Sequence, residues 1–200
     1  MEMVTALVMG ILVGAQHAFE PDHLAAVATM LPRETSGVRS VVKGAAWGLG
    51  HGLAIAIVGL PLVLLNLRLP PNLETFAELV VAGMLVWLGI RAVRATHKSA
   101  PPHPDRARVQ GRMVWIGFIH GLAGSGAAVL LATAQSSSRA SALVFLAIFV
   151  AGSALSMAFA AGLLSGLLRA SQVTGPRISK WVGAMSVVVG LVWALDLANR

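Results

Sequence analysis

Six long apolar runs make up most of this chain. They extend approximately over Val4–Met30, Val41–Leu65, Leu73–Val93, Met113–Thr133, Ala142–Leu168 and Val182–Leu197. Each is close to the roughly 20 residues a helix needs to cross the hydrocarbon core of a bilayer. The pattern predicts an all-α integral membrane protein with six transmembrane helices, folded as one domain over residues 1–200 with little outside the lipid. The first run lacks a basic n-region and carries a polar cluster in its middle, so it reads as a span and not as a cleaved signal peptide.

Polar residues interrupt this pattern at one real linker, Thr96 to Gln110, rich in proline and basic residues. It defines a first half (1–95), a basic linker (96–111) and a second half (112–200). An odd number of spans in each half makes the halves opposite in orientation, as in transporters built from inverted repeats with a site near the midplane. A short recurrence fits this 3+3 arrangement. Gly48-Leu-Gly-His51-Gly-Leu-Ala54 resembles Gly117-Phe-Ile-His120-Gly-Leu-Ala123, and Gly14-Ala-Gln-His17 repeats the glycine-to-histidine spacing.

Composition agrees: 56% of the 200 residues are hydrophobic and only 12% are charged, about half the charge of a soluble domain. The net charge of +7 could point to nucleic acid, but the basic residues are placed otherwise. Arg33, Arg39 and Lys43 follow the first span. Arg91, Arg94, Lys98, Arg106, Arg108 and Arg112 follow the third, and Arg169, Arg177 and Lys180 follow the fifth. Only Arg68, Arg139 and Arg200 lie on the other side. That asymmetry is the positive-inside bias, which puts the basic connections in the cytoplasm and both termini outside a cytoplasmic (inner) membrane. No aromatic-basic interleaving accompanies it, so nucleic acid is excluded as a partner.

The candidate chemistry lies inside the first span, at His17-Ala-Phe-Glu-Pro-Asp-His23. Ionisable groups are costly in hydrocarbon, and a cluster of them marks a functional site. On a regular helix His17 would stand roughly 140° from Asp22 and about 120° from His23, with about 9 Å of rise between the two histidines. Pro21 changes this, because it has no N–H for the carbonyl of His17 and its ring crowds that carbonyl. A kink there would gather the side chains and free a backbone oxygen. Imidazole nitrogen suits nickel, cobalt or zinc, whereas an all-oxygen site would suit magnesium or calcium. The chain has no cysteine, so thiolate is off the ligand list. The candidate ligands are His17, Asp22 and His23, with Glu20 adding negative charge and His51 and His120 completing a site drawn from three spans. The eight methionines read as packing residues, and His97 and His103 as solvated linker residues. No resident cofactor is expected, the metal being cargo.

At these residues the chain resembles the nickel/cobalt transporters, whose signature is a histidine, four residues, then Asp-His within a membrane helix. His17 to His23 matches it, and Leu49-Gly50-His51 resembles the family's second motif. Trp47-Gly-Leu-Gly-His51 together with His120-Gly-Leu-Ala-Gly-Ser125 resembles most the short, UreH-like branch. The resemblance implies transport of nickel, less often cobalt, with His17, Asp22 and His23 essential and His51 contributing. Glu20 stands where longer members carry aspartate, Gly52 replaces a common serine, and their later acidic motifs are absent.

Other classes fit less well. Ala123-Gly-Ser-Gly126 resembles the rhomboid protease motif, but Ala123 breaks it and the sixth span has no histidine for the serine. His-Glu-x-x-His is absent, and no enzymatic activity is expected. A metal exporter, or a small-solute exporter on a similar scaffold, is the alternative. Uptake is the expected direction, since a divalent ion entering an inside-negative cell gains about 4.6 kcal/mol per 100 mV. No P-loop is present to drive export.

Overall fold

The computed structural model describes residues 3–31, 36–94, 106–134, 138–170 and 176–199. Every described element is an α-helix: α1 (Met3–His17), α2 (Pro21–Met30), α3 (Gly37–Leu65), α4 (Pro71–Arg94), α5 (Arg106–Ala134), α6 (Arg139–Ala170) and α7 (Pro176–Ala198). The all-helical class is as the sequence predicts, but the helix count differs because the first apolar run is two helices. They meet at a 55° bend.

Proline chemistry accounts for that break. Pro21 opens α2 at a position where its missing N–H costs nothing, and Glu20 before it is extended (φ −61°, ψ 148°). The carbonyl of His17 is not freed, contrary to the sequence expectation. It accepts from the Glu20 N–H at 3.2 Å, while Phe19 N–H reaches the Gln16 carbonyl at 2.9 Å. The tight turn thus satisfies the backbone that proline disrupts, as a break at membrane depth requires.

Four helices, α3, α4, α6 and α7, are long and apolar enough to cross a membrane, and the bent pair α1–α2 makes a fifth such unit. At 29 residues and about 1.5 Å rise per residue, α5 has the length to do the same. Apolar side chains cover the outside in stripes at helical spacing, among them Leu49, Leu53 and Ile57 on α3 and Leu155, Phe159, Leu163 and Leu167 on α6. Apolar faces so exposed fit lipid as the surrounding medium. The chain is a multi-pass membrane protein.

The predicted linker differs at its end. Residues 96–105, with His97, Lys98 and His103, lie outside the described residues, as does Arg33, whereas residues 106–111 already belong to α5. Beyond Pro104 the run Arg106-Ala-Arg-Val-Gln has no proline and four good helix formers, so the helix starts well before the apolar span.

Close helix contacts set the directions. Glycines Gly117 and Gly121 of α5 lie on the carbonyls of Trp47 and His51, so closely that a Cβ at either would collide with them; α3 and α5 therefore run parallel. Gly10 and Gly14 of α1 meet the carbonyls of Phe145 and Phe149 of α6 in the same way. By contrast α4 and α7 are antiparallel: Ser179 Oγ donates to the Ala92 carbonyl (3.1 Å) and Ser186 Oγ to the Leu85 carbonyl (2.9 Å). α3 and α6 also run antiparallel, with Gly44, Gly48 and Gly52 against Met157, Ala154 and Val150.

Candidate metal centre

Because α3 and α5 touch backbone to backbone and the α1–α2 break lies beside them, the histidines of three apolar runs arrive at one place. His51 and His120, 0% and 1% exposed, stand with ring centroids 6.0 Å apart, and His23, 2% exposed, lies 5.0 and 4.5 Å from them. His17 joins from the end of α1, its Nε2 3.1 Å from His51 Nε2. Asp22 sits between two histidines, taking His23 Nδ1 at 3.1 Å on one oxygen and His120 Nε2 at 2.9 Å on the other.

Every residue singled out in the sequence is therefore found here, and the geometry sorts them. One ligand atom each from His17, His23 and His51 lie within 4.8 Å of one another, and so do one each from Asp22, His23 and His120. His23 is common to both groups. Two ligands about 2.0–2.1 Å from a tetrahedral ion are roughly 3.3 Å apart, so the 2.9–3.1 Å spacings need only small adjustment. Glu20 belongs to neither group. Its half-exposed carboxylate bonds His17 Nδ1 at 3.0 Å and stands 4.0 Å from His23 Nδ1.

Hydrogen-bond counting shows what the cluster lacks. With neutral imidazoles, His17 Nδ1 donates to Glu20, which leaves its Nε2 to accept from His51; His23 Nδ1 and His120 Nε2 donate to Asp22. The remaining nitrogens, His23 Nε2, His51 Nδ1 and His120 Nδ1, then carry bare lone pairs, and all three are buried without a partner. Buried polar atoms left so need a partner, an ion or a water. Three electron-pair donors around a carboxylate make the place chemically suited to a cation.

Above the cluster is a cavity of about 660 Å³, lined by His17, Asp22, His23 and His120 at its base and by Glu78, Val188, Trp193 and Asp196 farther along. Glu78 lies near the start of α4 and Asp196 near the end of α7, at the pole of the bundle opposite Lys43, Arg91 and Arg112. The cavity thus reaches the histidines from the acidic pole. Toward the basic pole, Trp47, Leu85, Leu88, Met113 and Ile116 pack into one apolar cluster. Trp47, 1% exposed, also packs edge-on against His23 and His120, with centroids 5.5 and 5.4 Å away.

Sequence reasoning gives no role to Glu78 or Asp196, and uses Trp47 only as part of the motif around His51. Glu78 could have been found, since a carboxylate within the apolar run Leu73–Val93 is as costly as Asp22. Asp196 had a weaker signal and Trp47 none beyond adjacency to the His51 motif. Ser125, weighed as a nucleophile, is buried and donates to the Leu122 carbonyl at 2.8 Å within its own helix. That bond spends the hydroxyl on the helix and gives it no basic partner.

The chain is 30% identical over 169 residues to the urease accessory protein UreH of Bacillus sp. (strain TB-90), covering 78% of this chain and 74% of UreH. It is 28% and 26% identical to the chloroplast proteins FOR GROWTH AND FERTILITY 1 and 2 of Arabidopsis thaliana. This chain spans 58% of the length of each of those plant proteins. No family model matches the chain, and no solved structure matches it.

Proposed function

This chain belongs to the UreH-like branch of the nickel/cobalt transporter family, and from that premise we propose that it carries nickel, and secondarily cobalt, into the cell across the cytoplasmic membrane. It is a membrane transport protein and not an enzyme. The observation that carries the proposal is the meeting of His17, Asp22, His23, His51 and His120, drawn from α1, α2, α3 and α5, at the base of a cavity. A site made only to join helices does not need five ionisable side chains in lipid, where each is expensive.

In this reading the ion is bound by imidazole nitrogens and the Asp22 carboxylate. Asp22 offsets charge that would otherwise be held away from water, and Glu20 orients His17 through the nitrogen that does not face the ion, the common arrangement around metal-bound histidine. His23, shared by both groups, would stay in contact as the ion moves between His17 with His51 and Asp22 with His120.

The helix contacts support six spans in two inverted halves, with α1–α2, α3 and α4 in the first and α5, α6 and α7 in the second. Exchanging the halves turns the contact of α1 with α6 into that of α5 with α3, and each is made by two glycines four residues apart on two carbonyls four residues apart. The antiparallel pairs α3–α6 and α4–α7 map onto themselves, as an inverted repeat requires.

Direction follows from the poles. The basic pole is cytoplasmic by the positive-inside rule, so the cavity lined by Glu78 and Asp196 faces outside and its field attracts cations. An exporter would have to load through the apolar layer around Trp47. An ion entering from outside gains about 4.6 kcal/mol per 100 mV, close to a thousandfold accumulation. The test is nickel content and nickel tolerance of cells expressing the protein. Higher content from trace nickel with greater sensitivity to excess is expected; lower content with greater resistance would reverse the direction.

A further inference from the structure

At the basic pole, beyond the apolar layer that closes off the histidines, lies a second and smaller cavity of about 200 Å³. It sits among α2, α3, α4, α5 and α7, and its polar lining is Thr29, Lys43, Arg91, Arg112 and Ser179. Leu88, Met113 and Ile116 form its floor and belong to the apolar cluster that includes Trp47. Nothing in the transport reading uses it.

Positive-inside placement explains why these three cations are at this pole, but not why they converge. Arg91 of α4 and Arg112 of α5 hold their guanidinium carbons 5.6 and 5.9 Å from the centroid of one indole, that of Trp87. Both distances are within cation–π range, so one ring holds two like charges at the edge of one cavity. Among the described residues no aspartate or glutamate lines it. Like charges so held repel each other unless an anion stands between them.

The other polar groups narrow the ligand. Thr29 Oγ1 already donates to the Ala26 carbonyl (2.7 Å) and Ser179 Oγ to the Ala92 carbonyl (3.1 Å). Donors toward a ligand therefore come from the two guanidinium forks of Arg91 and Arg112, whose geometry matches the oxygens of phosphate. Basic pockets between membrane helices on the cytoplasmic side take lipid head groups by the same chemistry.

We propose that this cavity binds a phosphate-type oxyanion, carried by an anionic phospholipid or free in solution, held by Arg91 and Arg112. The bound anion links α4, which packs on α7, to α5, which packs on α3. It therefore ties two packed groups of helices together at the pole away from the metal cavity, and stabilises the form in which that pole is shut.

The test uses the purified full chain in a neutral detergent at constant ionic strength, followed by thermal unfolding with phosphatidylglycerol, phosphatidylcholine or inorganic phosphate added. A rise of several degrees with phosphatidylglycerol alone assigns the site to lipid, and a rise with inorganic phosphate as well assigns it to the free anion. Arg91→Gln with Arg112→Gln should remove the rise, and Arg112→Gln alone should reduce it should the double variant fold poorly. No rise with either anion, an equal rise with phosphatidylcholine, or a full rise in the Arg112→Gln protein would overturn the proposal. His23→Ala should keep the rise, which separates failure here from failure of the metal reading.

Discussion

His120 Nε2 donates to Asp22 Oδ2 at 2.9 Å across 98 residues of sequence. This bond joins α5 to the start of α2, and so ties the second half of the chain to the motif of the first. Asp22 has its other oxygen on His23, which makes it the hinge of the cluster. Changes at Asp22 should therefore disturb two histidines at once.

The first prediction concerns the ligands. His17→Ala, Asp22→Asn and His23→Ala should each lower nickel accumulation by at least about a hundredfold, with the protein still present in the membrane at normal amounts. His51→Ala and His120→Ala should each cost roughly tenfold or more, since each removes one ligand from one group. His97→Ala and His103→Ala should be close to normal. Accumulation assays paired with membrane immunodetection check this, and normal transport by an Asp22→Asn, His23→Ala double variant would end the metal-site account.

A second prediction separates Glu20 from the ligands. Partners that orient a metal-bound histidine are typically worth about 10–100-fold in affinity. Glu20→Gln keeps a hydrogen-bond acceptor for His17 Nδ1 and should weaken nickel binding by roughly tenfold or less, while Glu20→Ala should weaken it more. Titration of the purified protein with nickel reads both. Equal and complete loss in the two variants would instead make Glu20 a direct ligand.

Packing yields the third. A side chain at Gly117 or Gly121 meets the carbonyls of Trp47 and His51, so Gly117→Val and Gly121→Val must push α5 off α3. Overpacking of this kind costs about 1–3 kcal/mol or more, and little folded protein should reach the membrane. Gly83 has nothing within 4 Å of where its Cβ would be. Gly83→Ala should thus stay within about 1 kcal/mol of the parent. Fluorescence-detected gel filtration of the solubilised variants distinguishes these outcomes.

The fourth is topological. The chain lacks cysteine, so single cysteines can be introduced at positions 68 and 98 and tested with an impermeant reagent in intact cells. Position 68 should label and position 98 should not. The reverse pattern would invert the assigned orientation and, with it, the argument for uptake.

Much of this molecule is legible in its sequence because lipid imposes simple demands. Apolar runs of sufficient length become helices, and charges within them, such as Asp22, must have a use. The bend at Pro21 was also readable, although not its outcome: the chain closes the gap with the Glu20 N–H instead of leaving the His17 carbonyl bare. The hidden parts are those set by contacts between distant helices. Nothing local to Gly117 or Gly121 says that they face α3, and so nothing local says that His120 meets Asp22. The start of α5 at Arg106 is hidden for another reason, as helix propensity there outweighs a charged composition that reads as a loop.

The central claim is that the histidine and aspartate cluster binds the ion this protein carries, and transport by the purified chain in liposomes tests it most directly. Nickel, cobalt, zinc and manganese should be supplied outside under an inside-negative potassium diffusion potential, with the parent and the His23→Ala variant side by side. The account predicts nickel uptake by the parent, cobalt less, manganese near background, and no uptake by His23→Ala. Nickel uptake by the variant equal to that of the parent, or no preference among the four ions, would contradict it.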